Sequence, residues 1–412
     1  MTSAAPATPA PTGQESVHLR SSGRSRFVGA MFLMATSAIG PGFLTQTTVF
    51  TDQLRAAFAF AILASVLIDI AVQMNVWRIV GVSGRRAQDL ANQAAPGSGY
   101  LLAGLDVFGG LIFNIGNIAG CSLGLAAIFG LDVRVGAALS AVFAIVVFLV
   151  RRAGVAMDWL VVFLGIVMIA ITTYVAISTE PPYGETLRQT VAPETVDFLV
   201  ITTLIGGTVG GYIVYAGAHR LVDNGVRGRE NVPAITRASI TGILITGLMR
   251  VLIFLAILGV VEAGAALDEA NPTGSAFDAA LGTAGEVFFG VVIWSAAITS
   301  VIGASYTSVS FLKVFGRWVT DYERWVVVAF IVVSSGIFLA LGTTPVRLLI
   351  FAGAFNGLIL PVGFGLLLWV AARRHDLMDG YRYPRWLVAV GVVAWVASVY
   401  LGYELLTTLG DL

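Results

Sequence analysis

The stretch Ser37-Ala38-Ile39-Gly40-Pro41-Gly42-Phe43-Leu44-Thr45-Gln46 interrupts the first long apolar segment near its middle. Proline removes a backbone donor and clashes one turn back, and the flanking glycines add backbone freedom. Residues 27–50 therefore read as two half-helices joined by an unwound link. A second apolar segment, 198–221, carries Gly206-Gly207-Thr208-Val209-Gly210-Gly211-Tyr212 at its own middle. Two broken membrane helices, one in each half of a chain, are the pattern expected at a transporter's substrate site.

Composition agrees. Of 412 residues, 57% are hydrophobic and only 12% charged, with a mean hydropathy of +0.87. So few charges cannot cover a soluble globule of this size, and an all-α integral membrane protein in the lipid bilayer follows. Basic and acidic residues balance at 24 each, so no basic field points to nucleic acid. The single cysteine, Cys121, lies in an apolar segment, which excludes a disulfide within the chain and a thiolate metal cluster. Residues 1–26 are rich in Ala, Pro, Thr and Ser and read as a disordered cytoplasmic tail.

Taking about twenty apolar residues per crossing, the chain divides into about 11 transmembrane helices: 27–50, 56–78, 100–128, 134–151, 157–178, 198–221, 236–260, 283–312, 325–342, 345–372 and 386–408. Arginine placement orients them. Arg20, Arg24 and Arg26 precede the first span; Arg78, Arg85 and Arg86 follow the second, and Arg151 and Arg152 the fourth. Arg220, Arg227, Arg229 and Arg237 follow the sixth, Lys313, Arg317 and Arg324 the eighth, and Arg373, Arg374, Arg382 and Arg385 the tenth. All fall on one side, whereas the opposite loops hold Glu180, Glu185, Glu194, Glu262, Asp268 and Glu269. The positive-inside rule then sets the amino terminus in the cytoplasm and the carboxyl terminus outside, in a cell (inner or plasma) membrane.

The interrupted spans are the first and the sixth, five helices apart. Ten helices thus form an inverted repeat, 27–178 (helices 1–5) and 198–372 (helices 6–10), with 386–408 as an additional helix. Half-helix amino ends present unpaired donors, here 43–46 and 212–215, and carboxyl ends present carbonyls, here 37–40 and 205–208.

Few ionisable groups lie deep in the spans. Asp69 and Arg250 are the clearest, at equivalent positions of the second and seventh helices. They read either as a mutual ion pair holding helices together, or as a coupling site in which Asp69 takes and releases a proton or cation. Asp106 and Glu286, nearer span ends, read as interfacial. Asn114 and Asn117 share one helix face. Gln46 with Thr45, Thr47 and Thr48, and Tyr212 with Tyr215, follow the breaks and read either as site lining or as groups bonded to their own helix. Thr299, Ser300, Ser305, Thr307 and Ser308 suit helix packing or an ion path. His219 reads as interfacial, and Asn356 with Gly353 as facing the core. There is no phosphate-cradling loop, paired-histidine metal spacing or serine elbow, so neither an enzyme nor a cofactor is implied.

In its broken helices and their neighbours the chain resembles the Nramp family, proton-coupled divalent-metal transporters of the amino acid–polyamine–organocation superfamily. Gly40-Pro41-Gly42-Phe43 falls where that family has Asp-Pro-Gly-Asn, and Gly207-Thr208-Val209-Gly210-Gly211-Tyr212 where it has Ala-Thr-Val-Met-Pro-His. Asn114-Ile115-Gly116-Asn117 with Gly120 and Leu123-Gly124-Leu125 is similar to its third helix, and 358–361 to its tenth. Gly81-Val82-Ser83-Gly84 with Asp89-Leu90-Ala91 is similar to the loop after its second helix. The resemblance implies a LeuT-type fold with helices 1 and 6 broken. It also implies that the metal ligands are gone: by position the aspartate becomes Gly40, the asparagine Phe43, the methionine Gly210 and the histidine Tyr212. A carboxylate and a thioether select transition metals, and nothing of comparable strength replaces them. The third-helix carboxylates of the family's proton route become Asn114 and Asn117.

The leading expectation is a secondary transporter working by alternating access on a small polar organic solute, a carboxylate or amino-acid-like compound, with proton or sodium as coupling ion. Gly40, Gly42, Gly207, Gly210 and Gly211 would offer backbone, Phe43, Tyr212 and Tyr215 a wall, and Gln46, Asn114, Asn117 and Asn356 orienting groups. Two alternatives stand beside it: transport of a divalent metal cation, as hydrated magnesium or the family's manganese, and a solute sensor that does not transport.

Overall fold

In a computed structural model, residues 40–342 and 344–408 are described. The expected tail, the first half of the first span and the carbonyls at 37–39 lie outside the described residues. The second half of that span is helix α1 (Pro41–Leu54), with Gly40 as N-cap and Pro41 in the first helical position, where its missing N–H costs nothing. A turn at Arg55–Ala57 leads into α2 (Phe58–Ser83), and α3 (Ala87–Ala94) follows the second span. Then come α4 (Ser98–Phe129), α5 (Val133–Leu149) and α6 (Arg151–Ser178). The amphipathic α7 (Tyr183–Val191) precedes the second broken span, α8 (Phe198–Thr208) and α9 (Tyr212–Asp223). The remainder is α10 (Val232–Glu262), α11 (Pro272–Leu281), α12 (Thr283–Leu312), α13 (Arg317–Asp321), α14 (Glu323–Leu341), α15 (Pro345–Arg373) and α16 (Arg385–Thr408). Among the described residues there is no strand.

Each expected span contains a helix, and the ends that fall within the described residues lie within a few residues of those read from the sequence, except that α6 begins six residues early; the start of the first span lies outside the described residues. Arg151 and Arg152 therefore open α6 rather than forming a loop. By length and hydropathy, eight segments of the described residues can cross a membrane, nine if the pair bent by 107° at 162–191 is one crossing. α1 and α2 run together in that count as Pro41–Ser83, and α5 is short at 17 residues. Eleven crossings is thus not fixed by the described residues. α7 and α11 fall in stretches that read as acidic loops: they are short, and polar enough to lie along the surface.

Polar caps start several helices. The Asp132 carboxylate accepts from Arg134 N–H at 2.9 Å, Asp197 from Val200 N–H at 3.0 Å, and Asn271 from Gly274 N–H at 3.2 Å. The ends that carry arginines do meet. Gly228 N–H donates to Gly81 O (2.9 Å), Arg86 lies 3.5 Å from Asp223, and Arg374 donates to Gln93 O (3.0 Å), so the ends after spans two, six and ten share one side. Trp318, Tyr322, Trp325 and Trp386 are exposed near that same end, as an interfacial aromatic belt requires. Cys121 is buried and free.

The broken span is seated by contact between backbones. A Cβ on Gly206 would overlap the main chain of Gly353, and one on Gly357 would press on Thr202 O. Small residues bring α8 and α15 this close, the device by which membrane helices associate when water offers no hydrophobic drive.

Candidate substrate site

Three residues, Val209 to Gly211, separate α8 from α9. Val209 and Gly210 N–H both donate to Ile205 O (2.8 and 3.0 Å), and Gly211 turns the chain at φ +49°, ψ −129°, a conformation that disfavours a side chain. Ile213 N–H donates to Gly210 O (3.1 Å). At the first break Leu44 N–H donates to Gly40 O (3.3 Å), which leaves Gly42 and Phe43 as the amides of α1's open end. The donor sets are therefore shifted from those expected, because each half-helix closes its first turn one residue early.

Both breaks open on one cavity of about 100 Å³. Gly40 and Phe43 come from the first break, and Gly207, Thr208 and Tyr212 from the second. Gln73 and Trp77 of α2, Phe113 of α4, Gly242 and Thr246 of α10, and Ser300 and Thr307 of α12 complete the wall, and Ala216, Gly217 and Arg220 of α9 lead it toward the arginine-rich end. Among the described residues the lining holds no carboxylate and no sulfur. Its helices are tied by side chains: Gln73 donates to Ser239 O (2.9 Å) and Trp77 Nε1–H to Val214 O (2.9 Å).

Of the residues expected to bind, Gly40, Phe43, Gly207 and Tyr212 meet at this cavity. The others stand behind it. Gln46 donates to Leu349 O (2.8 Å) with its Oε1 unpartnered beside Gly207, and Gly42 packs on Gln46 and Leu349. Asn356 donates to Ala352 O (2.8 Å) and Gly109 O (3.2 Å), its side chain against Gly211 and its main chain against Gly210. Asn114 donates to Ser305 and Ser334 hydroxyls, both at 3.0 Å, and Asn117 is buried with its amide unpartnered. Tyr215 turns away toward Gly363. Thr47 and Thr48 bond their own helix. His219 is buried rather than interfacial, and its Nε2 accepts from Ala87 N–H (3.0 Å).

Asp69 and Arg250 do not pair: no contact within 4 Å joins them. Each faces a break instead. The Arg250 guanidinium lies 4.3 Å over the Phe43 ring, with Nε and Nη2 unpartnered and the residue 2% exposed. Asp69 lies beside Thr208 within the field of Arg250, its Oδ1 unpartnered. Both belong to the walls, one helical turn beyond the lining: Asp69 precedes Gln73 by four residues, and Arg250 follows Thr246 by four. Those stripes, Asp69-Gln73-Trp77 and Gly242-Thr246-Arg250, recur at i, i+4 in the sequence, and this is the signal that would have found the α2 and α10 walls.

A family profile described as Natural resistance-associated macrophage protein-like matches residues 31–408. The chain belongs to the Nramp-like family. The Bacillus subtilis uncharacterized membrane protein YcsG is 50% identical to this Nramp-like chain over 389 residues, covering 94% of this chain and 96% of that one. A mutant of the Eremococcus coleocola manganese transporter superposes at TM-score 0.67 and 15% identity, over 91% of this chain and 85% of that one. MhsT in complex with L-phenylalanine superposes equally well, at 0.67 and 16%, over 94% and 99%. The fold is the LeuT type, and family and fold support a secondary transporter.

Proposed function

We propose that this Nramp-like chain is a secondary transporter of a small organic solute bearing a carboxylate, moved by alternating access between the two broken spans. The observation that carries this reading is Arg250: a buried guanidinium, held by the face of Phe43, whose Nε and Nη2 edge has no partner among the described residues. A carboxylate matches that edge with two parallel hydrogen bonds, and the open amides of Gly42 and Phe43 favour the same charge. Tyr212 and Phe113, in edge contact at 5.7 Å, give the cavity an aromatic wall for the rest of the solute. An amino-acid-like solute would set its ammonium toward Asp69. The open route past Ala216 and Arg220 leads to the arginine-rich side, which we assign to the cytoplasm, with the amino terminus inside and the carboxyl terminus outside. Residues 27–178 and 198–372 act as the two halves of the repeat, and 386–408 stands apart.

A divalent cation is the second reading, favoured by the unpartnered Gln46 Oε1 beside Gly207 and by the manganese transporter among the neighbours. It would have to bind through carbonyls and retained water, beside a buried arginine that repels it. The test is reconstitution into liposomes with glycine, alanine, lactate and succinate as probes. Thermal stabilisation and isotope uptake by at least one, abolished in Arg250→Met, are expected. Tight manganese binding with no response to any carboxylate would overturn the reading.

A further inference from the structure

Asp106, expected at a span edge, is 0% exposed in α4, and among the described residues neither carboxylate oxygen has a hydrogen-bond partner and no basic side chain lies within 4 Å of it. Leu102 and Gly110, one turn to either side, mark the face it shares. Gly110 abuts Ser308 of α12, whose hydroxyl is unpartnered. Leu102 meets the Tyr215 hydroxyl at Gly363 of α15, and that hydroxyl is unpartnered too. Tyr215 packs edge-on against Phe311 at 6.4 Å, and His219, a turn further along α9, lies 5.2 Å from the same ring with its Nδ1 unpartnered. The titratable groups facing Asp106 are thus Tyr215 and, beyond it, His219. α12 presents Ser308 and Phe311, α15 presents Gly363, and α3 turns Gln88 and Leu90 inward.

Buried polar atoms are almost always bonded, and an isolated carboxylate inside a membrane carries a proton, carries a cation, or marks a transport path. Here a carboxylate, two hydroxyls and an imidazole nitrogen lack partners together, between α4 and the half-helix α9 that forms one side of the open route. We propose that Asp106 is the proton-carrying group of the transport cycle. It takes a proton from a hydronium ion at the Arg220 end, that ion's O–H bond breaking to leave water as the carboxyl O–H forms, and gives the proton to a water on the other side, which becomes hydronium as the carboxyl O–H breaks. Tyr215 and His219 line the proton's approach. This assigns coupling to α4 although the asparagines 114 and 117 carry no charge, and it rests on the transporter reading, whereas the protonation of Asp106 is read without it.

The first measurement needs no solute. Infrared spectra of the full-length protein in lipid, with carbon-13-labelled aspartate, should show a protonated carboxyl band at neutral pH in the wild type and in Asp69→Asn. The band should be missing in Asp106→Asn. Retention of the band in Asp106→Asn, or its removal by sodium at constant pH, would overturn the proposal. In the second measurement, a liposome pH gradient should drive accumulation of the solute found above in the wild type. Asp106→Asn should reach only the equilibrium level while still exchanging bound solute. Gradient-driven accumulation in Asp106→Asn would also overturn it. If no probe is transported at all, the solute reading fails, and the infrared band still decides whether Asp106 holds a proton.

Discussion

The two helix breaks share a cavity but are built differently. The second is held mostly by main chain, Gly206 against Gly353 and Gly210 against the Asn356 backbone, with Gly211 in a turn at positive φ against the Asn356 side chain. The first is held by side chains, with Phe43 clasping Arg250 and Gln46 reaching Leu349 O. Behind the first stands the Arg250 guanidinium, and behind the second the Asp69 carboxyl beside Thr208. Packing of backbone on backbone leaves no room for variation, so the second break is a fixed seat. The first is adjustable, since one aromatic ring covers its charge, and that makes it the natural place for recognition.

The comparison breaks most severely at Gly206. In Gly206→Leu the added side chain has to displace the main chain of α15, and a loss of roughly 3 kcal/mol or more is expected, read as a collapse of the melting temperature in detergent. A variant that folds normally would show that the second break is not a fixed seat. At the first break, Arg250→Met should fold, because an unpaired buried charge gives way to an apolar chain of similar length. Its binding of a carboxylate probe should weaken by about thirtyfold or more. Phe43→Leu removes only the ring under the cation, a contact worth about 1 kcal/mol. Solute binding should weaken several-fold in uptake assays, with modest loss of stability.

The smallest effect lies outside both breaks. In α7, hydrogen bonds from Arg188 and then Gln189 hold the Glu185 carboxyl below its usual range. A depressed folded value means the contribution is present above the unfolded value of about 4.5 and is lost as pH falls through the lower folded one. Hydrogen exchange in α7 should quicken at acid pH in the wild type, and Glu185→Gln should remove that pH dependence. α7 packs on α2 and the Arg55–Ala57 turn. The loosening should therefore reach the first break and spare the second.

The fold, the second break and the start of α1 at Gly40-Pro41 were legible because glycine and proline inside apolar runs have few other uses. The glycine run at 206–211 gave the second break to within a residue or two. The clasp of Phe43 on Arg250 was not legible, since it joins positions 207 apart through the crossing of α1 and α10, and local pattern carries no such distance. Asp106 was misread for a related reason. Nearness to a span end measures depth along one helix, whereas burial there depends on the helices packed on α4, with α12 and α15 foremost. Asn114 looked like a ligand and proved to be engaged with the hydroxyls of Ser305 and Ser334, partners that only the assembled bundle supplies.

The hydrogen bond from Ala87 N–H to His219 Nε2 also works as a linkage. An imidazole that accepts at Nε2 carries its hydrogen at Nδ1, so the bond fixes the ring and joins α9 to the first residue of α3. The Arg86 to Asp223 ion pair fastens the same two helices at the outer rim. Two attachments a turn apart resist both sliding and rotation. Any swing of α9 that widens or shuts the route past Arg220 therefore has to drag the corner after α2 along, so the rim moves as one rigid flap rather than as a single helix pivoting alone.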